Sequence, residues 1–298
     1  MTGILIVDKP AGMTSFGVVA KLRGMAKTKK VGHAGTLDPA ATGVLPVFLG
    51  GATRFIDFLP DHGKRYAAHL QLGITTDTQD TTGRVLETRP VNVTAADVTA
   101  ALPRFEGKIM QTPPMYSALK KDGKRLYELA RQGVEVEREA REVEVHTVCL
   151  SWNDADETAG RYQWDIECSK GAYIRTLCHD LGAALGCGGA MAHLRRTGAC
   201  GYTLGDAHTL EDLQALTDAG RLGSALLPLE SAFVAFPRLE LDERQAKLFT
   251  NGTCPGRDVF GHLNAACGER IAIFGPAGFL GLATPDGERL KHLRVVGS

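Results

Sequence analysis

Two kinds of apolar spacing predict the strands of this chain. The unbroken apolar run at 4–7 is typical of a fully buried strand. The residues Tyr66, Ala68, Leu70 and Leu72 alternate with more polar neighbours, and the segment 162–168 alternates in the same way. Alternation of this kind indicates half-buried strands, which are common in antiparallel sheets.

Other segments repeat their apolar residues every three or four positions, which predicts helices. Thr14 or Ser15 is suited to cap a helix in which Val18, Leu22 and Met25 share one face. Further helices are predicted at 94–102, at 124–132, at 172–185 and after residue 209. Because helices and strands do not alternate regularly, we expect an α+β fold with a largely antiparallel mixed sheet.

Three segments depart from this regular patterning. The stretch 27–43 is rich in glycine and proline and has no period, so it is predicted to be a long irregular loop, a kind that is usually functional. Residues 110–148 have the character of an inserted arm with a basic end at 120–125. A linker near 228–238 separates a larger domain, 1–232, from a small β domain, 238–298.

Composition narrows the class of protein. The 298 residues carry 34 Lys and Arg against 34 Asp and Glu, and 44% are hydrophobic, as in a globular protein. No apolar run reaches the roughly 18 residues of a membrane span, so we expect a cytoplasmic protein. The seven cysteines include no Cys-x-x-Cys pair, and motifs for a nucleotide-binding P-loop, a hydrolase elbow or a zinc protease are missing. No metal site is predicted.

The balanced total charge hides two basic regions. Residues 1–75 contain nine Lys or Arg against four Asp or Glu, and residues 104–131 contain seven against three. Binding to a polyanion depends on the local patch that meets the phosphates, so nucleic acid stays a possible partner despite the zero net charge.

One carboxylate, Asp38, lies in an unusual place within the irregular loop. Taken alone, Asp38 followed by Pro39 is a typical start of a type I turn. The longer string from Gly32 to Pro46, GHAGTLDPAATGVLP, preceded by DKPAGMTS at 8–15, resembles the nucleophile motif of the pseudouridine synthases and, more narrowly, the TruB family, the bacterial tRNA pseudouridine-55 synthases.

Three further segments match that family in order along the chain. They are KRY at 64–66 with GITTDTQD at 73–80, PMYSALK at 114–120 with GKRLY at 123–127, and SKGAYIRTL at 169–177. The resemblance runs from residue 4 to about residue 210. The last 60 or so residues resemble, more loosely, a PUA-type RNA-binding domain. The fold implied is that of the pseudouridine synthases, with an RNA-binding arm.

The resemblance implies isomerisation of uridine 55 in the T arm of tRNA to pseudouridine by a monomer that needs no metal or organic cofactor. It implies that Asp38 acts on the ribose, that Arg175 pairs with Asp38, and that Tyr66 stacks on the base and helps to move its proton. Positions matching the family's nucleotide pocket are His33, Tyr173 and Leu194, and candidate phosphate contacts are Lys64, Lys170, Lys120 and Arg125.

Several alternatives stay open from sequence. Asp38 could add to C1′ of the ribose, add to the base, or remove a ribose proton to give a glycal, which is the route that the resemblance favours. A tRNA-binding or tRNA-folding protein, or a glycosidase that releases free uracil, would share many of these residues.

Overall fold

The structure, a computed structural model, describes residues 1–121 and 123–297. Its strands are β1 Gly3–Lys9, β2 Val31–His33, β3 Thr42–Leu49, β4 Lys64–Leu72, β5 Ile74–Thr76, β6 Val85–Thr88, β7 Gly107–Gln111, β8 Lys120–Lys121, β9 Lys124–Arg125, β10 Arg141–Ser151, β11 Arg161–Cys168, β12 Gly189–Ala199, β13 Tyr202–Thr203, β14 Arg238–Glu240, β15 Ile271–Gly275, β16 Gly278–Asp286 and β17 Arg289–Val295. Its α-helices are α1 Ser15–Met25, α2 Ala95–Ala101, α3 Leu126–Arg131, α4 Asp154–Thr158, α5 Ile174–Ala184, α6 Leu210–Asp218, α7 Glu243–Thr250 and α8 Arg257–Phe260. Short 3₁₀ helices occupy Gly50–Phe58, Leu102–Phe105, Leu204–Asp206, Leu222–Ala225, Leu229–Phe233 and Gly261–Leu263.

A mixed sheet forms the centre of the molecule. Its strands follow the order β1-β3-β12-β4-β11-β10-β7, with β2 added beside β3 and β13 beside β12. All of these pairs are antiparallel except β12 with β3, where Arg195 lies opposite Thr42. The α+β class and the largely antiparallel mixed sheet predicted from the apolar spacing are therefore confirmed.

The alternating segments predicted as strands bury one face of this sheet. Along β4 and β11, the side chains at 66, 68, 70 and 72 and at 162, 164, 166 and 168 are buried, and α5 contributes Leu177 and Leu181 to the same core. The opposite positions of the two strands remain exposed or half-buried. The face that carries Tyr66 is thus the packed face, and α5 lies against it.

The irregular loop predicted at 27–43 is shorter in the structure. Val31–His33 forms β2 and Thr42 already begins β3, since Val31 pairs with Leu49 and His33 with Val47. A three-residue strand is too short to show alternation in the sequence. Its position is set by its pairing with β3. What remains irregular is 27–30 and 34–41, and the second of these segments carries Asp38.

The predicted arm also changes its limits. The first part of 110–148 belongs to β7 and the last part to β10, and these strands pair with each other in the main sheet. Only 112–140 lies between them, where the described residues include the β8–β9 pair and α3. Residue 122 of this segment lies outside the described residues.

A second, four-stranded sheet, β14-β15-β16-β17, follows near the end of the chain, together with α7, which the strand pattern had not predicted. It packs on the main body through phenylalanines: the Phe279 ring centroid lies 5.8 Å from that of Phe55 and 5.6 Å from that of Phe233. The Arg270 guanidinium also donates to the carbonyl oxygens of Phe58 and Leu59 at 3.0 and 3.1 Å. The boundaries 1–232 and 238–298 stay predictions.

Among the described residues, no helix is long and apolar enough to cross a bilayer.

Candidate active site

The segment 34–41 is held at several points, so Asp38 has a fixed position. Ser15, at the start of α1, accepts a hydrogen bond from the Leu37 amide at 2.9 Å and donates to the Leu37 carbonyl at 3.1 Å. The Ala41 amide donates to the Asp38 carbonyl at 3.1 Å, which closes a turn. The turn expected from Asp-Pro alone is therefore present, and it presents the Asp38 side chain to the site.

Asp38 and Arg175 form an ion pair, with Arg175 Nε 3.0 Å from Asp38 Oδ2. Arg175 occupies the first turn of α5 and only 5% of its side chain is exposed, whereas 41% of the Asp38 side chain remains exposed. A substrate can therefore reach the carboxylate but not the guanidinium behind it.

Arg175 joins its own helix, α5, to three other segments of the chain. Besides Asp38, its guanidinium donates to the carbonyl oxygens of Thr78 at 3.0 Å and Tyr116 at 2.7 Å. Its Nη1 also lies 3.8 Å from Asp80 Oδ2. Tyr116 belongs to the first part of the arm, so the arm is tied to the same cation that faces the carboxylate.

Burial raises the pKa of the Asp38 carboxyl above its ordinary value, because desolvation outweighs the neighbouring charges. Arg175 is the main group that opposes this shift, Asp80 adds to it, and Lys9 opposes it more weakly. Arg175 therefore limits the rise in the Asp38 pKa but does not abolish it.

Arg196 fixes the other end of the loop, and sequence reasoning gave it no role. This fully buried residue of β12 donates to the carbonyl oxygens of Val44 at 2.7 Å, Gly35 at 3.0 Å and Thr36 at 3.4 Å. Gly43 must lack a side chain, because its φ is +102° and a Cβ there would lie 2.1 Å from the Arg196 carbonyl oxygen. The guanidinium thus satisfies three carbonyls on both sides of Asp38.

We expect Arg196→Lys to lower the free energy of unfolding by about 3 kcal/mol, because a compact ammonium cannot serve three separated carbonyls and leaves buried acceptors unpaired. The matched control is Arg195→Lys, at a residue that pairs with Asp8 at 2.7 Å and is 42% exposed, for which a cost below about 1 kcal/mol is expected. Urea unfolding of both variants measures the difference. Equal costs would contradict the role given to Arg196.

Lys9 is a second residue that the sequence analysis left without a role. Its buried ammonium donates to the carbonyl oxygens of Met13 at 2.6 Å, Pro10 at 2.8 Å and Pro39 at 3.2 Å. Burial lowers its pKa to about 8, and the charge of Asp38 opposes that shift. Lys9 therefore fastens the segment that follows β1 to the residue that follows Asp38.

Tyr66 and Leu194 lie together behind the loop. Both are buried in the cluster that contains Leu37, Ala41 and Ile174. Burial raises the pKa of the Tyr66 phenol to about 12, while the nearby charge of Arg196 opposes the shift. The phenol is therefore neutral at neutral pH, and Tyr66 packs in the core beneath the loop.

His33 ends β2 and is half-buried, five residues before Asp38. Burial and the charge of Arg196 lower its pKa, which favours the neutral imidazole. Its buried Nδ1 has no hydrogen-bond partner within 1–121 and 123–297.

Tyr173 is the N-cap of α5, two residues before Arg175. Its amide donates to Gln111 Oε1 at 2.7 Å, and its carbonyl accepts from Gln111 Nε2 at 3.0 Å. Gln111, which sequence reasoning missed, is 2% exposed at the end of β7. This pair of bonds sets the position of the first turn of α5 and hence of Arg175.

The four predicted phosphate contacts lie in different surroundings. Lys64 begins β4 beside the loop, since a Cβ on Gly35 would lie 3.8 Å from its Nζ, and burial lowers its pKa. Lys170 pairs with Asp61 at 2.8 Å and is largely exposed. Lys120 and Arg125 face each other across β8 and β9 in the arm and are exposed.

No group of three or more His, Cys, Asp or Glu side chains suited to hold a metal ion occurs in the described part of the chain. Sequence reasoning missed four residues: Lys9 and Asp80, which lie inside the matched strings, and Gln111 and Arg196, which lie outside them. None of the four lies on a strand that the sequence pattern predicts, so no local signal marked it.

Two models of known protein families match successive parts of this chain. The family model described as TruB family pseudouridylate synthase (N terminal domain) matches residues 23–174. A second model, described as tRNA pseudouridylate synthase B C-terminal domain, matches residues 175–234. The chain belongs to the TruB family of pseudouridylate synthases. It is therefore an isomerase that converts uridine to pseudouridine.

Curated relatives of this family member span nearly the whole chain. A tRNA pseudouridine synthase B of Aromatoleum aromaticum is 45% identical over 99% of this chain and 93% of its own length. The protein of the same name from Pseudomonas putida is 47% identical over 85% of this chain and 82% of its own length. Among solved structures, a crystal structure of a Cbf5-Nop10-Gar1 complex contains a chain with a TM-score of 0.77 and 25% identity, covering 99% of this chain and 84% of that one.

Proposed function

We propose that this TruB family protein isomerises uridine 55 in the T arm of tRNA. The observation that carries the proposal is the accessible Asp38 carboxylate 3.0 Å from the buried guanidinium of Arg175. The relatives' names, which give tRNA as the substrate, support the choice of RNA. The T arm and the position in it come from the resemblance of the sequence motifs.

In the proposed reaction the N1–C1′ bond breaks, the uracil rotates, and a C5–C1′ bond forms. The proton on C5 passes to water, and N1 gains a proton. Asp38 acts on the ribose, where cleavage develops positive charge at C1′. Among the three routes that sequence left open, we propose the glycal route that the family resemblance favours, in which the Asp38 carboxylate removes a ribose proton.

Tyr66 is proposed to stack on the extruded base, with Leu194 behind it. A pKa of about 12 for Tyr66 favours a neutral phenol that donates or relays a hydrogen bond, rather than a phenolate base. The proposed nucleotide pocket is completed by His33 and Tyr173. The Nδ1 atom of His33 has no hydrogen-bond partner among the described residues, so it can bond to the nucleotide. Stacking of this kind is worth about 1–3 kcal/mol, which helps to offset removal of the base from the RNA.

The surrounding cations are proposed to meet phosphates. They are Lys64 and Lys170 near the loop and Lys120 and Arg125 in the arm. The small C-terminal sheet is proposed to be a PUA-like RNA-binding domain. A monomer acting in the cytoplasm without cofactor stays the expectation.

The test uses a T-arm stem-loop labelled with tritium at C5 of its uridines. We expect the full-length protein to release tritium with a kcat/KM at least about 100-fold higher than for a hairpin of equal length whose loop has an unrelated sequence. The control RNA replaces the target uridine with cytidine and should release nothing from that position.

Other outcomes would reject parts of the proposal. Equal rates on both hairpins would reject T-arm recognition but not the isomerase. Release of free uracil without pseudouridine would favour the glycosidase, and binding without tritium release would favour the RNA-folding alternative.

A further inference from the structure

The outer face of α1 leaves a large aromatic ring in solvent. The helix buries Ser15, Val18, Val19 and Leu22. Phe16 points the other way and is 63% exposed. An exposed phenylalanine forgoes about 2 kcal/mol of burial, part of which stacking against another planar group would recover.

One cation lies over the ring, and further cations follow the end of α1. Between Asp8 and Asp38 the sequence contains six Lys or Arg and no carboxylate. Arg23 lies over the Phe16 ring at 5.4 Å from the centroid and donates to the Val31 carbonyl. No ion pair within the described ranges engages a cation of residues 21–30.

The opposite, buried face of α1 holds the catalytic loop. Ser15, the neighbour of Phe16, makes both hydrogen bonds to Leu37, and Leu37 precedes Asp38. The cations Lys27, Lys29 and Lys30 continue from the end of α1 to the start of β2, which leads to His33.

One cation of the helix faces elsewhere. Lys21 lies with Gly24 at a cleft between α1 and α6, whose lining includes the carboxylates of Glu211 and Asp218. Lys21 thus lies on the side of α1 that faces α6. Lys21 therefore provides a matched control for the basic face.

We propose that Phe16, with Arg23, Lys27, Lys29 and Lys30, forms an RNA-contacting surface outside the catalytic pocket. Phe16 stacks on an unpaired base next to the extruded uridine, and the cations bind the phosphates that follow. A polyanion with exposed bases fits an aromatic ring set among cations, since stacking and phosphate contacts are the two elements of single-strand recognition. The inference rests on the proposed function because the T arm supplies that base.

The test compares Phe16→Ala, Phe16→Tyr and Lys21→Ala in single-turnover tritium release at increasing enzyme concentration. Phe16→Ala should raise the half-saturating concentration about 5-fold or more while leaving the maximal rate within about 2-fold. Phe16→Tyr keeps the ring and should match wild type, as should Lys21→Ala. Because Phe16 is exposed, unchanged thermal melting of all three is expected.

A second measurement does not depend on turnover. Filter binding of the T-arm stem-loop should show the same 5-fold loss for Phe16→Ala, and replacing Lys27, Lys29 and Lys30 together with Ala should reduce the slope of log Kd against log salt by about 2. Wild-type affinity in Phe16→Ala would overturn the proposed surface, as would equal losses in Phe16→Ala and Lys21→Ala. Failure of the proposed function would instead appear as absent tritium release by wild type.

Discussion

Replacing Asp38 with Asn should reduce pseudouridine formation by at least about 1,000-fold while leaving the affinity for the T arm within about 3-fold. The amide keeps the shape of the side chain but cannot take a proton or carry the negative charge that faces C1′. Rates of tritium release and filter-binding constants test the two parts. Asp8→Asn, which changes a carboxylate paired with Arg195, is the matched control and should retain turnover.

The same variant should not lose stability at neutral pH. Burial raises the pKa of Asp38 in the folded protein, so its contribution to stability is full below the pKa of the unfolded chain and is lost as pH rises through the folded pKa. At pH 7 the neutral amide therefore replaces an unfavourable charge, and the melting temperature should stay the same or rise. The difference in melting temperature between Asp38→Asn and wild type should become smaller at acidic pH. A lower melting temperature at pH 7 would mean that the ion pair with Arg175 outweighs the burial of the carboxylate.

Replacing Arg175 with Met should lower kcat by about 100-fold or more, with little change in RNA affinity, because the side chain is only 5% exposed and lies behind Asp38. The guanidinium is the largest influence that lowers the pKa of Asp38. Without it the pKa rises further, so the acidic limb of the kcat/KM profile should move to higher pH.

Arg175→Lys separates charge from geometry. An ammonium restores much of the electrostatic effect, so the acidic limb should return toward its wild-type position. It cannot also bond to the carbonyls of Thr78 and Tyr116, so turnover should stay below wild type. Equal losses of turnover and affinity in Arg175→Met would instead place this residue on the RNA backbone.

The sequence predicted the parts of the site that carry recognisable chemistry. Asp38 and Arg175 are 137 positions apart in the chain, yet the structure places them in contact, and Tyr66 and Leu194 share one core with the loop. Regular alternation predicted β4 and β11, because one buried face imposes a period of two. The functional roles of these residues remain predictions for the experiments above.

The rest depended on tertiary contacts that have no local signature. No pattern in the sequence around Arg196 indicates that its guanidinium donates hydrogen bonds to carbonyl oxygens about 150 to 160 positions earlier. The sequence around Gln111 likewise gives no sign that its side-chain amide hydrogen-bonds to the backbone of Tyr173. The extent of β2 was missed for the same reason, since β3 decides its pairing.

The phenylalanine contacts between the second sheet and the main body limit how this enzyme can meet its substrate. A domain joined by a flexible linker could bind RNAs of many shapes. Here Phe279 packs against Phe55 and Phe233, which holds the small sheet against the main body and so at a set distance from Asp38. Any RNA that touches both regions must match that spacing. Such an RNA would be selected by its dimensions as well as by its bases.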